Sequence, residues 1–138
     1  MTKYLITISL ITLTITCLAQ EIESDCLNRI DTLSNREVYT VVDILPEPVE
    51  GMSKLYERVI KTLIIPKGFH PIESKVIIAF VVEQDGSITG MRTIKNITGT
   101  TFDTQLMELI ATLEWNPGTC NGEQVSTLIL LPVIIDFN

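Results

Sequence analysis

Residues 75–88 read Lys75-Val76-Ile77-Ile78-Ala79-Phe80-Val81-Val82-Glu83, then Gln84-Asp85-Gly86-Ser87 and Ile88. The stretch up to Glu83 is almost wholly apolar and rich in β-branched side chains, the composition of a strand without a solvent face. Asp-Gly before a second strand-like run to about Ile94 is a strong local hairpin cue, because glycine adopts the positive φ that a tight reversal needs. A strand covered on both faces belongs inside a sheet, so 75–83 is placed centrally with 88–94 antiparallel beside it.

Moving outward toward the C-terminus, Phe102, Leu106, Leu109, Ile110 and Leu113 recur at helical spacing. Thr100 or Thr101 can cap this helix, Asp103 suits its positive end, and Asn116-Pro117-Gly118 closes the region after Trp115. Residues 124–137 are β-branched and apolar and predict a third main strand. Pro132 within it lacks a backbone donor, which argues for an edge position and hence a docking surface.

Toward the N-terminus, Leu55, Val59, Ile60 and Leu63 mark one side of a helix whose other side carries Lys54, Arg58 and Lys61. Ser53 is its candidate N-cap, and Pro66 requires it to finish by Ile65. Residues 37–45, with Val38, Tyr39, Val41, Val42 and Ile44, predict a possible extra strand stopped by Pro46 and Pro48. Residues 20–36 form a polar lead-in, either a short helix or extended chain. The fold class is therefore α+β: an antiparallel sheet of three main strands, plus that N-terminal strand, with two helices on one face.

With 138 residues the chain has room for one domain, and internal repeats and low-complexity tracts are absent from the sequence. Ten Lys and Arg against 17 Asp and Glu give a net charge of -7, with no basic run to neutralise phosphates, which argues against nucleic acid as a partner. One histidine, His70, and three cysteines make a four-ligand structural metal site improbable, and no cofactor is expected. Tyr4 opens an uncharged, mostly apolar run to Ala19 behind Lys3, so residues 1–19 predict a secretory signal cleaved after Ala19. Lipidation of Cys17 and an uncleaved anchor remain the alternatives, although Thr14 and Thr16 stand where lipidation favours an apolar and a small residue. Export into an oxidising compartment predicts a Cys26–Cys120 disulfide, two unpaired thiols being the alternative.

From Val38 onward, over about 100 residues, the chain resembles the C-terminal domain of TonB-type energy transducers. The resemblance rests on Pro46-Glu47-Pro48 with Gly51, Ile64-Ile65-Pro66, the strand before Asp85-Gly86-Ser87-Ile88, Trp115-Asn116-Pro117-Gly118 with Asn121-Gly122, and Leu131-Pro132-Val133-Ile134-Ile135-Asp136-Phe137. It implies a periplasmic, protein-binding role tied to transmembrane transport: a TonB-box-like peptide of an outer-membrane TonB-dependent receptor is added as an extra strand to the sheet edge. The implied peptide-binding residues are Thr127, Leu128, Ile129, Leu130, Leu131, Val133, Ile134 and Ile135, flanked by Ile65 and Pro66. A full transducer adds a motor-coupled anchor and a long Pro-rich spacer; here residues 20–36 reach roughly 60 Å at full extension. Many family members also have Tyr where this chain has Ile65.

Three classes of function follow. The leading one is the strand-adding module, with 1–19 as signal, 20–36 as lead-in and 37–138 as domain. The second is a homodimeric or assembly subunit of the cell envelope, or a short-stalked anchored transducer that contacts the membrane only if 1–19 are retained. The third, an enzyme, is not expected: Cys120 lies in a Gly-rich turn without a strand-to-helix elbow, His70 is flanked by Phe69 and Pro71, and the carboxylates Glu21, Glu23, Glu47 and Glu50 are scattered along polar loops.

Overall fold

The computed structural model describes residues 25–72 and 74–136. The expected signal, Cys17 and the start of the lead-in lie outside the described residues, as does Phe137.

The chain begins with a hairpin of β1 (Leu27–Asp31) and β2 (Arg36–Val41), followed by the short β3 (Glu47–Pro48) and α1 (Met52–Thr62). The expected hairpin follows as β4 (Lys75–Val82) and β5 (Ile88–Lys95), then α2 (Phe102–Thr112) and the short β6 (Trp115–Asn116), β7 (Gly118–Cys120) and β8 (Glu123–Val125). The last strand is β9 (Thr127–Ile134). The main sheet has the order β1-β2-β9-β4-β5, while β3 pairs with β6 and β7 with β8.

Four expectations need correction. The sheet has five strands and is mixed, because β2 meets β9 in parallel at Tyr39 and Thr127. Of the two readings of the lead-in, the helix is wrong and the extended chain holds from Leu27, where it is further ordered as β1 by antiparallel pairing with β2. The single strand expected over 124–137 breaks at Ser126 into β8 and β9, and β9 lies inside the sheet, bonded to β4 along its whole length. Pro132 therefore marks the free side of an interior strand instead of an outermost one.

β4 is central as expected, and its period-2 alternation serves two clusters. Val76, Ile78, Phe80 and Val82 face the helices, where Leu55 and Val59 of α1 and Phe102, Leu106 and Ile110 of α2 close over them. Each fully buried side chain such as Phe80 contributes about 1.5–3 kcal/mol relative to exposure. Ala79 and Val81 face the other way and are covered by Val38 and Leu128. Ile60, expected on the buried side of α1, is 80% exposed, because the stripe that reaches the core is narrower than the run of apolar positions. Gly51, not Ser53, occupies the α1 N-cap, its φ of 91° supplying the reversal into the helix. At α2 the N-cap is Thr101, but its side chain makes no capping bond. Thr100 Oγ1 and Asn96 Oδ1 accept from the first N–H groups, of Phe102 and Asp103.

Candidate functional site: the outer side of the last strand

The expected binding residues form β9 and its exit, and most of their side chains are committed to packing. Thr127, Leu131, Val133 and Ile135 are buried, Leu128 sits in the second cluster, and Ile129 is partly buried against the main core. Leu130 and Ile134 project from the other face, 58% and 73% exposed. What β9 offers a partner is therefore mainly backbone.

Which backbone groups are offered follows from the phase of the ladder. In an antiparallel pair the N–H and C=O of successive residues point alternately toward the partner and away from it. Ile135 N–H donates to the Ser74 carbonyl at 2.7 Å, on the β4 side, while the Ser126 carbonyl accepts from Tyr39 N–H at 2.8 Å, on the β2 side. The register between β9 and β4 runs from Thr127 to Ile134 without a shift. Odd-numbered residues of β9 thus bond to β4 and even-numbered ones point outward. Pro132 falls in the outward set, so its missing N–H removes nothing from the ladder with β4.

Beyond Thr127, no strand among the described residues pairs with that outward side. The departure of β2 has a visible cause. Asp43 and Ile44 N–H both donate to the Thr119 carbonyl, at 3.0 and 3.2 Å, and Thr119 N–H returns a bond to Ile44 at 3.0 Å. β3 then pairs with β6, so this stretch is drawn onto the 114–120 segment and away from β9. The divergence leaves an open groove of about 490 Å³ beside residues 128–132. Its other lining includes Thr40, Leu45, Pro46 and Glu47, with Met52 and Tyr56 from α1 and Trp115.

Trp115 is fixed in place. It is 5% exposed, its ring meets Phe80 edge-on with centroids 5.1 Å apart, and its Nε1–H donates to the Ile110 carbonyl at 3.2 Å. The residue thus packs into the core and also contributes to the groove lining. Ile65 and Pro66 do not join the lining; they follow α1, where the neighbouring Ile64 N–H donates to Gln105 Oε1. Leu45, Met52 and Tyr56 were not anticipated. The only sequence signal for them was the helical register that leaves Tyr56 half-exposed beside buried Leu55.

Polar contacts fix the β1–β2 hairpin against the rest of the sheet. Glu83 accepts from Arg36 Nη1 at 3.0 Å and from Ser126 Oγ at 2.7 Å, tying β2 to the residue before β9. At the hairpin tip, Asp31 accepts from Ser34 N–H at 3.0 Å and Oγ at 2.8 Å, and from Arg92 Nη2 at 2.7 Å. Asp31 has no exposed surface. Burial raises its pKa, but the Ser34 hydrogen bonds and then Arg92 outweigh that and hold it below its ordinary 3.8. Cys26 and Cys120 form the expected disulfide, with Cα atoms 6.3 Å apart, fastening the start of β1 to β7. Asp43 lies close to both sulfurs, but sulfurs bonded to each other offer no thiolate to a metal. The same bond occupies Cys120, so no thiolate is available to pair with the exposed His70.

No protein-family model matches the chain, and no curated protein matches it. Among solved structures it is similar to the solution NMR structure of the Pseudomonas aeruginosa TonB C-terminal domain, at 17% identity and a TM-score of 0.40, over 86% of this chain and 92% of that one. At that identity and score the likeness concerns the course of the chain alone. No helix among the described residues is long and apolar enough to cross a membrane.

Proposed function

We propose that this protein is a periplasmic, non-enzymatic binding module that takes up an extended peptide by strand addition along the outer side of β9. The partner on this reading is a TonB-box-like segment of an outer-membrane receptor. The observation that carries the reading is an unpaired backbone edge inside a sheet, opening onto an apolar groove beside Trp115. From Leu128 to Ile134 that edge is about 20 Å long, the length of an ordinary strand. Backbone pairing supplies affinity, and the groove selects an apolar side chain. Departure of β2 matters more than chain order, since a fully paired interior strand could accept nothing.

The test is calorimetric titration with a synthetic peptide of about ten residues taken from such a receptor's N-terminal segment, a length that spans the edge. Methylating those peptide N–H groups that face β9 should weaken binding several-fold per group, because each loses one hydrogen bond. Binding indifferent to methylation at every position would rule out strand addition.

A further inference from the structure

We infer that Pro132 is a partner-selecting residue: it makes the β9 edge a poor mate for a second copy of this chain while leaving it open to a foreign strand. The inference rests on the strand-addition reading for the identity of the site, and adds what the site excludes.

Beyond the Tyr39 bridge the edge presents C=O of Leu128, N–H and C=O of Leu130, C=O alone of Pro132, and N–H and C=O of Ile134. A foreign strand placed antiparallel makes both bonds at Leu130, both at Ile134, and donates one N–H to the Pro132 carbonyl. It loses a single bond. A second copy pairing about a two-fold axis places Leu130 against Ile134 of its partner and Pro132 against the partner's Pro132. There neither chain has a donor, so two bonds vanish and two carbonyl oxygens face each other unsatisfied. Moving the axis by one residue in either direction sets Pro132 against Leu130 or Ile134 of the other copy and again forfeits two bonds. The penalty is thus built into every antiparallel self-pairing that uses this edge, and is halved for a ligand without proline opposite Pro132.

Such a penalty has a use here. Leu130 and Ile134 are exposed apolar side chains flanking the edge, which would otherwise favour self-association. Because the Pro132 ring lies on the exposed face and its nitrogen points away from β4, the residue can be exchanged without breaking the ladder.

The experiment compares the full chain and its Pro132→Thr variant by sedimentation equilibrium over a range reaching about 100 µM, where weak pairing becomes visible. The wild type is expected to stay monomeric and the variant to dimerise at least tenfold more tightly. Adding Leu130→Pro to the variant removes the next outward donor and should return it to monomer. Pro132→Ala restores the same N–H with a smaller side chain and serves if the threonine variant does not fold. A restored N–H that leaves self-association unchanged overturns the inference, and so does a dimer that survives Leu130→Pro. Peptide titration of the same proteins is a separate readout. A wild type that binds no peptide, with the variant's mass shift intact, would reject the function and keep the selector; peptide binding by the wild type with no mass shift in the variant would reject only the selector.

Discussion

Gly86 sets the central hairpin against the Trp115 backbone beside the groove, and replacing it with alanine separates two costs. Gly86 sits at φ 83°, and a Cβ there would lie 2.3 Å from the Trp115 carbonyl oxygen, closer than any real contact. Gly122, in the β7–β8 turn, has φ 75° but nothing within 4 Å of its Cβ position. Gly122→Ala should therefore cost about 1 kcal/mol, the left-handed backbone strain alone. Gly86→Ala bears that strain and must also push the hairpin off Trp115, for about 3 kcal/mol in all, comparable with a core packing defect. At a urea m-value of about 1–2 kcal/mol/M, the difference is a midpoint about 1–2 M lower for Gly86→Ala than for Gly122→Ala. The chain's single tryptophan makes fluorescence a direct probe, and only Gly86→Ala should also change the native emission. Equal midpoints within about 0.5 kcal/mol, with identical emission, would show that the hairpin does not lean on Trp115.

Replacing Cys26 and Cys120 with serine should cost about 4 kcal/mol, since the bond closes a loop across 94 positions of sequence; urea unfolding with and without a thiol reductant checks it. Asp31 has a lowered pKa, so its stabilisation is complete above its ordinary 3.8 and is lost as pH falls through the lower folded value. Unfolding midpoints should thus fall below about pH 4, and Asp31→Asn should flatten that slope while losing about 2 kcal/mol at neutral pH. Trp115→Phe removes the Nε1–H bond to Ile110 and part of the edge-on contact with Phe80, for an expected loss of about 2 kcal/mol by the same melt.

The elements with an unbroken period were legible in the sequence. β4 and β5 announced themselves by composition and by Asp85-Gly86, and α2 by the spacing from Phe102 to Ile110. β1 was not, because Leu27 and Ile30 follow neither a strand nor a helix period; both are exposed, and only pairing with β2 orders them. Pro132 was read as the mark of an edge strand, but a missing donor reports on one side of a strand only. It could not reveal that β4 occupies the other side while β2 touches just the first residue. The groove was illegible for a different reason: Leu45, Met52, Tyr56 and Trp115 come from separate segments that only the packed sheet brings together.

The edge exists because of a competition over where the chain goes after Tyr39. Continuing along β9 would give β2 backbone bonds to Leu130 and Ile134 and would close the site. The 43–49 segment instead finds its partners in the 114–120 segment, through Thr119, Trp115 and Asn116, with Asn121 N–H also donating to Asp43 Oδ2 at 2.8 Å. The Cys26–Cys120 bond holds the same region from the other end, because Cys120 adjoins the Thr119 on which the diverted chain is bonded. The disulfide therefore supports the groove wall as well as global stability. Its removal should weaken peptide binding even at temperatures where the domain stays folded. Titrating the same peptide into oxidised protein and into the double serine variant, both verified as folded by tryptophan emission, checks this. Equal affinities would place the disulfide's whole effect in the unfolded chain and leave the wall held by its hydrogen bonds alone.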